Sequence, residues 1–149
     1  MPFEVKLGAF NVSNLGATIV ELTDPTNPTT PTSIIRTDQS WEVRVHFETS
    51  GGLSHVLTGQ WHVGLFIESI GPGQELELGL VHVPLTPGPG TVNYDVVIPV
   101  AAANNPAVPD HQTRPFKLVT TVSYIQPDGN PGAMAGYIEN AIVQLYNVA

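Results

Sequence analysis

The sequence predicts an all-β fold, an antiparallel β-sandwich of about seven to eight strands, and three observations carry that expectation. Apolar and polar residues alternate with period two in segment after segment; clusters of Pro, Gly, Asn and Asp separate those segments; helical periodicity is hard to find. At 149 residues the chain has the length of one domain, 1–149, large enough to bury a core without covalent staples. Cysteine is absent, so packing and strand pairing must hold the fold together.

Residues 3–7 and 17–22 read as N-terminal strands. They lead into a Pro/Thr-rich stretch to about residue 33, whose composition fits a stiff extended surface connection, and 34–149 is the expected sandwich body. The clearest alternation follows: Trp41, Val43, Val45 and Phe47 share one face, and Glu42, Arg44, His46 and Glu48 share the other. Trp61, Val63, Leu65 and Ile67 then alternate with His62, Gly64, Phe66 and Glu68, an outer set with less polarity.

Residues 74–83 place Leu76, Leu78 and Leu80 inward and Glu75 and Glu77 outward, and Pro84 ends the run because proline cannot donate to a ladder. In residues 92–100, Val92, Tyr94, Val96 and Ile98 share a face, and Pro99 marks an edge strand or strand end. Residues 101–114 form a long connection rich in Pro, Asn and Ala, suited to a functional surface or to a plain crossover between sheets. Residues 116–126 and 137–147 flank the turn formers of 127–132 and read as a closing hairpin.

These strands, the turn spacing, a Trp near the start of the third core strand and the closing hairpin resemble an immunoglobulin-like or fibronectin type III sandwich. The resemblance is architectural. The cysteine pair of antibody domains is missing, so it implies a fold and carries no function.

Thirteen acidic against five basic residues give a formal net charge of −8, which works against nucleic-acid phosphates and anionic headgroups. No signal-peptide pattern opens the chain and no run is long enough to span a bilayer, so a cytoplasmic protein without membrane insertion is expected. Charged residues make up only 12% of the chain, so polar uncharged side chains, or a partner, must cover much of the surface.

No catalytic motif emerges. Glu42, Arg44, His46 and Glu48, with His62 and Glu68 on a neighbouring strand, form the best metal constellation, but Arg44 would repel a cation while pairing with the acids. Salt bridging on a solvated sheet is the better reading, and no metal or cofactor is expected. Ser54 and His55 follow a Gly-rich loop but lack the nucleophile-elbow pattern, and Asp24, Asn27, Asp128 and Asn130 are ordinary turn residues. Phe66, Tyr124, Tyr137 and Tyr146 are aromatics of ambiguous facing, the type a sugar-binding platform would use.

The remaining expectation is a non-enzymatic binding or structural module that contacts a protein partner or itself, with a small-ligand or carbohydrate-binding module as the alternative. Gly64, Phe66, Val97 and Val119 are outward positions poorly suited to water and so mark the candidate contact surface of a homo-oligomer. The N-terminal strand offers a second route, by exchange between protomers.

Overall fold

A computed structural model describes residues 3–5, 11–21, 33–51, 58–71, 73, 75–88 and 90–149. Its strands are β1 (Phe3–Val5), β2 (Asn11–Glu21), β3 (Ile34–Arg36), β4 (Trp41–Ser50), β5 (Gln60–Ser69), β6 (Glu75–Pro84), β7 (Val92–Val100), β8 (Thr113–Ile125) and β9 (Pro131–Tyr146). They form two packed sheets. The larger has the order β1-β9-β8-β5-β6 with β3 also on β9, and the smaller has the order β2-β4-β7.

This is the expected sandwich. The smaller sheet holds the A, B and E positions of an immunoglobulin-like arrangement, and β6, β5, β8 and β9 hold C′, C, F and G. Nine strands stand among the described residues rather than seven to eight, because β3, a three-residue segment on the same flank of β9 as β1, adds to the strands that alternation marks. The pairing is also not antiparallel throughout, since β3 runs parallel to β9. Only Ile35 of β3 is buried, so three residues with one anchor leave no alternation to read. The Pro-rich connection, residues 22–32, lies outside the described residues.

Period two becomes burial where each strand turns one face to the other sheet. Trp41, Val43, Val45 and Phe47 of β4 face Trp61, Val63, Leu65 and Ile67 of β5, and Tyr94, Val96 and Ile98 of β7 complete the same apolar cluster. Rings line and join the layers: Phe47 stacks on Tyr94 within the smaller sheet at 4.9 Å between centroids, Trp61 contacts Tyr124 within the larger at 5.8 Å, and Trp61 meets Phe47 edge-on across the two at 5.4 Å. Pro99 falls on β7, an edge strand of the smaller sheet, where a missing N–H is tolerated.

β6 departs from its expected facing. Leu65 pairs with Gly79 and Phe66 with Glu77, so Leu78 is an extra residue in the ladder, a β-bulge. The bulge reverses the alternation. Leu76 and Leu78 point inward as expected, but Leu80 is 50% exposed, while Val81 and Val83 pack against the core. His82 therefore faces outward, opposite His62. Gly79 lies where β6 closes on β7, since a Cβ there would stand 2.6 Å from Ile98 Cγ2.

The long connection is a tied-down crossover. Asn105 accepts a 2.7 Å hydrogen bond from Trp41 Nε1 and donates through Nδ2 to the carbonyls of Thr37 and Gln39. Asn147 Nδ2 donates to the carbonyl of Val108, itself buried. At the closing hairpin Asp128 accepts bonds from the backbone and side chain of Asn130, which hold its carboxyl below the usual range, and Gly129 takes the left-handed φ of 88° that the turn requires.

Candidate interaction surface

The outer face of the larger sheet is built from the residues that alternate with the core. Register lays them out in rows across β6, β5, β8 and β9: His82, His62, Ser123 and Ala135 in one; Leu80, Gly64, Thr121 and Tyr137 in the next. Phe66 then pairs with Val119, and Glu68 pairs with Lys117, which is in register with Ile142. Leu80, Tyr137 and Ile142 are 50%, 51% and 42% exposed, large fractions for apolar side chains.

Gly64 shapes the middle of this face. A Cβ there would stand 3.1 Å from Phe66 Cε2 and 2.8 Å from Thr121 Oγ1, so the Phe66 ring lies back over Gly64. A half-buried aromatic is thus pressed onto the sheet at low relief. Charge returns around it: exposed Glu77 on β6 is the register partner of Phe66, and in the next row Lys117 Nζ bonds Glu68 at 2.9 Å and Glu139 at 3.6 Å and its pKa is raised by them.

Gly64, Phe66 and Val119 thus lie together. Val97 does not join them: it is on β7 in the other sheet, facing away on the opposite side of the sandwich, in register with Arg44. Sheet membership is a long-range property that alternation does not encode. Leu80, Thr121, Tyr137 and Ile142 extend the face beyond the expected set; Leu80 was hidden by the bulge, whose signal was a Gly inside a strand with apolar residues on both sides.

The outer face of the smaller sheet is different in kind. Arg44 donates to Glu42 from Nε and Nη2, at 2.9 and 2.8 Å, along the same strand. His46 bonds Asp95 across to β7 at 2.8 Å and lies 3.5 Å from Glu48, so the Asp95 bond, with help from Glu48, raises its pKa. His62 and Glu68, expected beside this group, are on the opposite sheet, because β5 does not pair with β4.

His46 and His62 pull stability in opposite directions with pH. His46, raised when folded, contributes stability that is complete below the ordinary value of about 6.5 and is lost as pH rises through its folded pKa. His62 is held below its ordinary value by burial and by His82, so its contribution is present above about 6.5 and is lost as pH falls. His46→Gln should therefore flatten the alkaline limb of a stability profile, by under about 1 kcal/mol for so exposed a pair, and His62→Gln the acid limb. Denaturant midpoints between pH 5 and 9 check this, and a change on the other limb in either variant contradicts the assignment.

Among the described residues no three His, Cys, Asp or Glu side chains are grouped to hold a metal ion. Ser54, His55, Asp24 and Asn27 lie outside the described residues. Tyr124 is buried and donates to the Thr58 carbonyl, leaving Tyr137 as the most exposed of the ambiguous aromatics. An open cleft of about 320 Å³ lies at one end between Ser69, Ile70, Arg114 and Phe116, and Arg114 there is bonded to Gln112. No described helix is long and apolar enough to cross a membrane.

Fold and surface together define a class: an all-β sandwich with one ion-paired outer face and one face whose centre carries no charge. No protein-family model matches the chain, and no curated protein matches its sequence.

Proposed function

We propose that the chain is a non-enzymatic binding or structural module that docks by the outer face of its larger sheet, and that the partner on this face is a second copy. The observation that carries the reading is the contrast between the two outer faces. One is covered by Glu42, Arg44, His46, Glu48 and Asp95; the other presents Leu80, Phe66, Val119 and Tyr137 around Gly64 and Thr121.

Charge favours a copy in this arrangement. Two chains of formal charge −8 repel, and they approach at least cost where the centre of the contact, Gly64, Phe66, Val119 and Thr121, carries no charge. A patch on one sheet face also suits an isologous contact, in which Phe66 and Val119 of one copy meet the same patch of the other about a two-fold axis.

Light scattering at micromolar concentration tests this. The expected mass exceeds the 15.9 kDa of one chain, and Phe66→Glu returns it to that value while the circular dichroism spectrum stays β-dominated. A monomeric mass at all concentrations, unchanged by Phe66→Glu, removes the proposal.

A further inference from the structure

We propose that His62 and His82 form a binding site for one divalent transition-metal ion, with one nitrogen ligand from each imidazole. The two residues are register partners on β5 and β6, and their rings stack at 3.9 Å between centroids with 4° between planes. An ion about 2.0–2.1 Å from each nitrogen holds the two nitrogens about 3 Å apart. In the stack the nitrogen lone pairs run side by side, so ligation requires both rings to swing out of the stack about their side-chain torsions until the lone pairs converge on the ion, while the ladder keeps the two backbones in register.

The bulge creates the pairing. Without Leu78 as the extra residue, His82 would have the parity of Leu76 and point into the core; with it, His82 faces outward across from His62. The surroundings leave the nitrogens to an ion. Gln60 and Gly64 flank His62 along β5, Leu80 and Pro84 flank His82 along β6, and Ser123 and Ala135 continue the row across β8 and β9. None is charged, so no register neighbour forms an ion pair with an imidazole as Asp95 does with His46, and none repels a cation.

Two imidazoles with water in the other positions suit zinc, copper or nickel, whereas calcium and magnesium require oxygen ligands. Metal ligation needs the neutral ring, and the lowered pKa of His62 keeps it in that form at neutral pH. The site lies within one chain and does not depend on self-association.

Nickel titration of the intact chain tests it. One Ni²⁺ per chain is expected, with a rise in melting temperature of about 3 °C at a free concentration ten times the dissociation constant. His62→Gln or His82→Gln should each abolish binding and shift, His46→Gln and Phe66→Glu should preserve both, and Ca²⁺ should have no effect. On the wild type, paramagnetic Ni²⁺ should broaden the ring signals of His62 and His82 first, a readout independent of any variant's folding. Absence of binding up to millimolar Ni²⁺, binding that survives either His→Gln change, or broadening centred elsewhere overturns the proposal. Failure of the mass test with this result intact would remove the self-association reading alone.

Discussion

Trp61→Ala is expected to lower the free energy of unfolding by about 3–5 kcal/mol, the range for deleting a fully buried large aromatic. Trp61 has no exposed surface, and its ring meets Phe47 of the smaller sheet, Tyr94 beside it at 6.2 Å and Tyr124 on its own sheet. Its removal leaves a cavity at the junction of both layers, and strands held by ladders on either side cannot collapse to fill it. Such a loss is a large fraction of the roughly 5–15 kcal/mol that holds a domain folded. Equilibrium urea unfolding reads it as a lower midpoint. A change under about 1 kcal/mol would mean that the two sheets do not pack through this cluster.

The second large effect is expected at Asn105. Asn105→Ala leaves the indole N–H of fully buried Trp41 without its acceptor and strips the Thr37 and Gln39 carbonyls of their donor. A buried donor left unsatisfied costs about 1–3 kcal/mol, so a total near the upper end of that range is expected. Asn105→Asp separates the contributions. A carboxylate still accepts from Trp41, but it sets an oxygen against both carbonyls, so stability stays below wild type. Full stability in both variants would show that the crossover is not anchored there.

Much of the fold was legible because burial on one side of a strand writes itself as alternation. In β4, β5 and β7 large apolar side chains recur at every second residue over 41–47, 61–67 and 92–100, and most of them are the core. β6 was only half legible. Its bulge at Leu78 inserts one residue, and every position after it changes face, although the strand ends where Pro84 said it would. β3 was not legible, since a three-residue parallel pairing depends on where β9 runs and leaves no local pattern. N-terminal strand β2 begins at Asn11, earlier than alternation from residue 17 indicated, because a register irregularity between Ser13 and Gly16 breaks its period.

The candidate surface divides along the same line. Gly64, Phe66 and Val119 could be placed outward by parity alone, and Phe66 and Val119 proved to be direct register partners. Val97 obeyed the same parity but belongs to the other sheet. Leu80 was assigned to the core side by a period that the bulge interrupts, and the same period carried onward has His82 facing the core as well. The stacked histidine pair on the outer face was hidden by that one inserted residue.

The central claim is that the outer face of the larger sheet meets its own copy through the apolar patch around Phe66. A dilution series of amide nitrogen–proton correlation spectra, from millimolar to low micromolar chain, tests it most directly because no substitution is needed. The account predicts concentration-dependent shifts clustered at Gly64, Phe66, Val119, Thr121 and Tyr137, with Arg44, His46 and Val97 unmoved. Spectra independent of concentration, or shifts clustered on β4 and β7 instead, would contradict it.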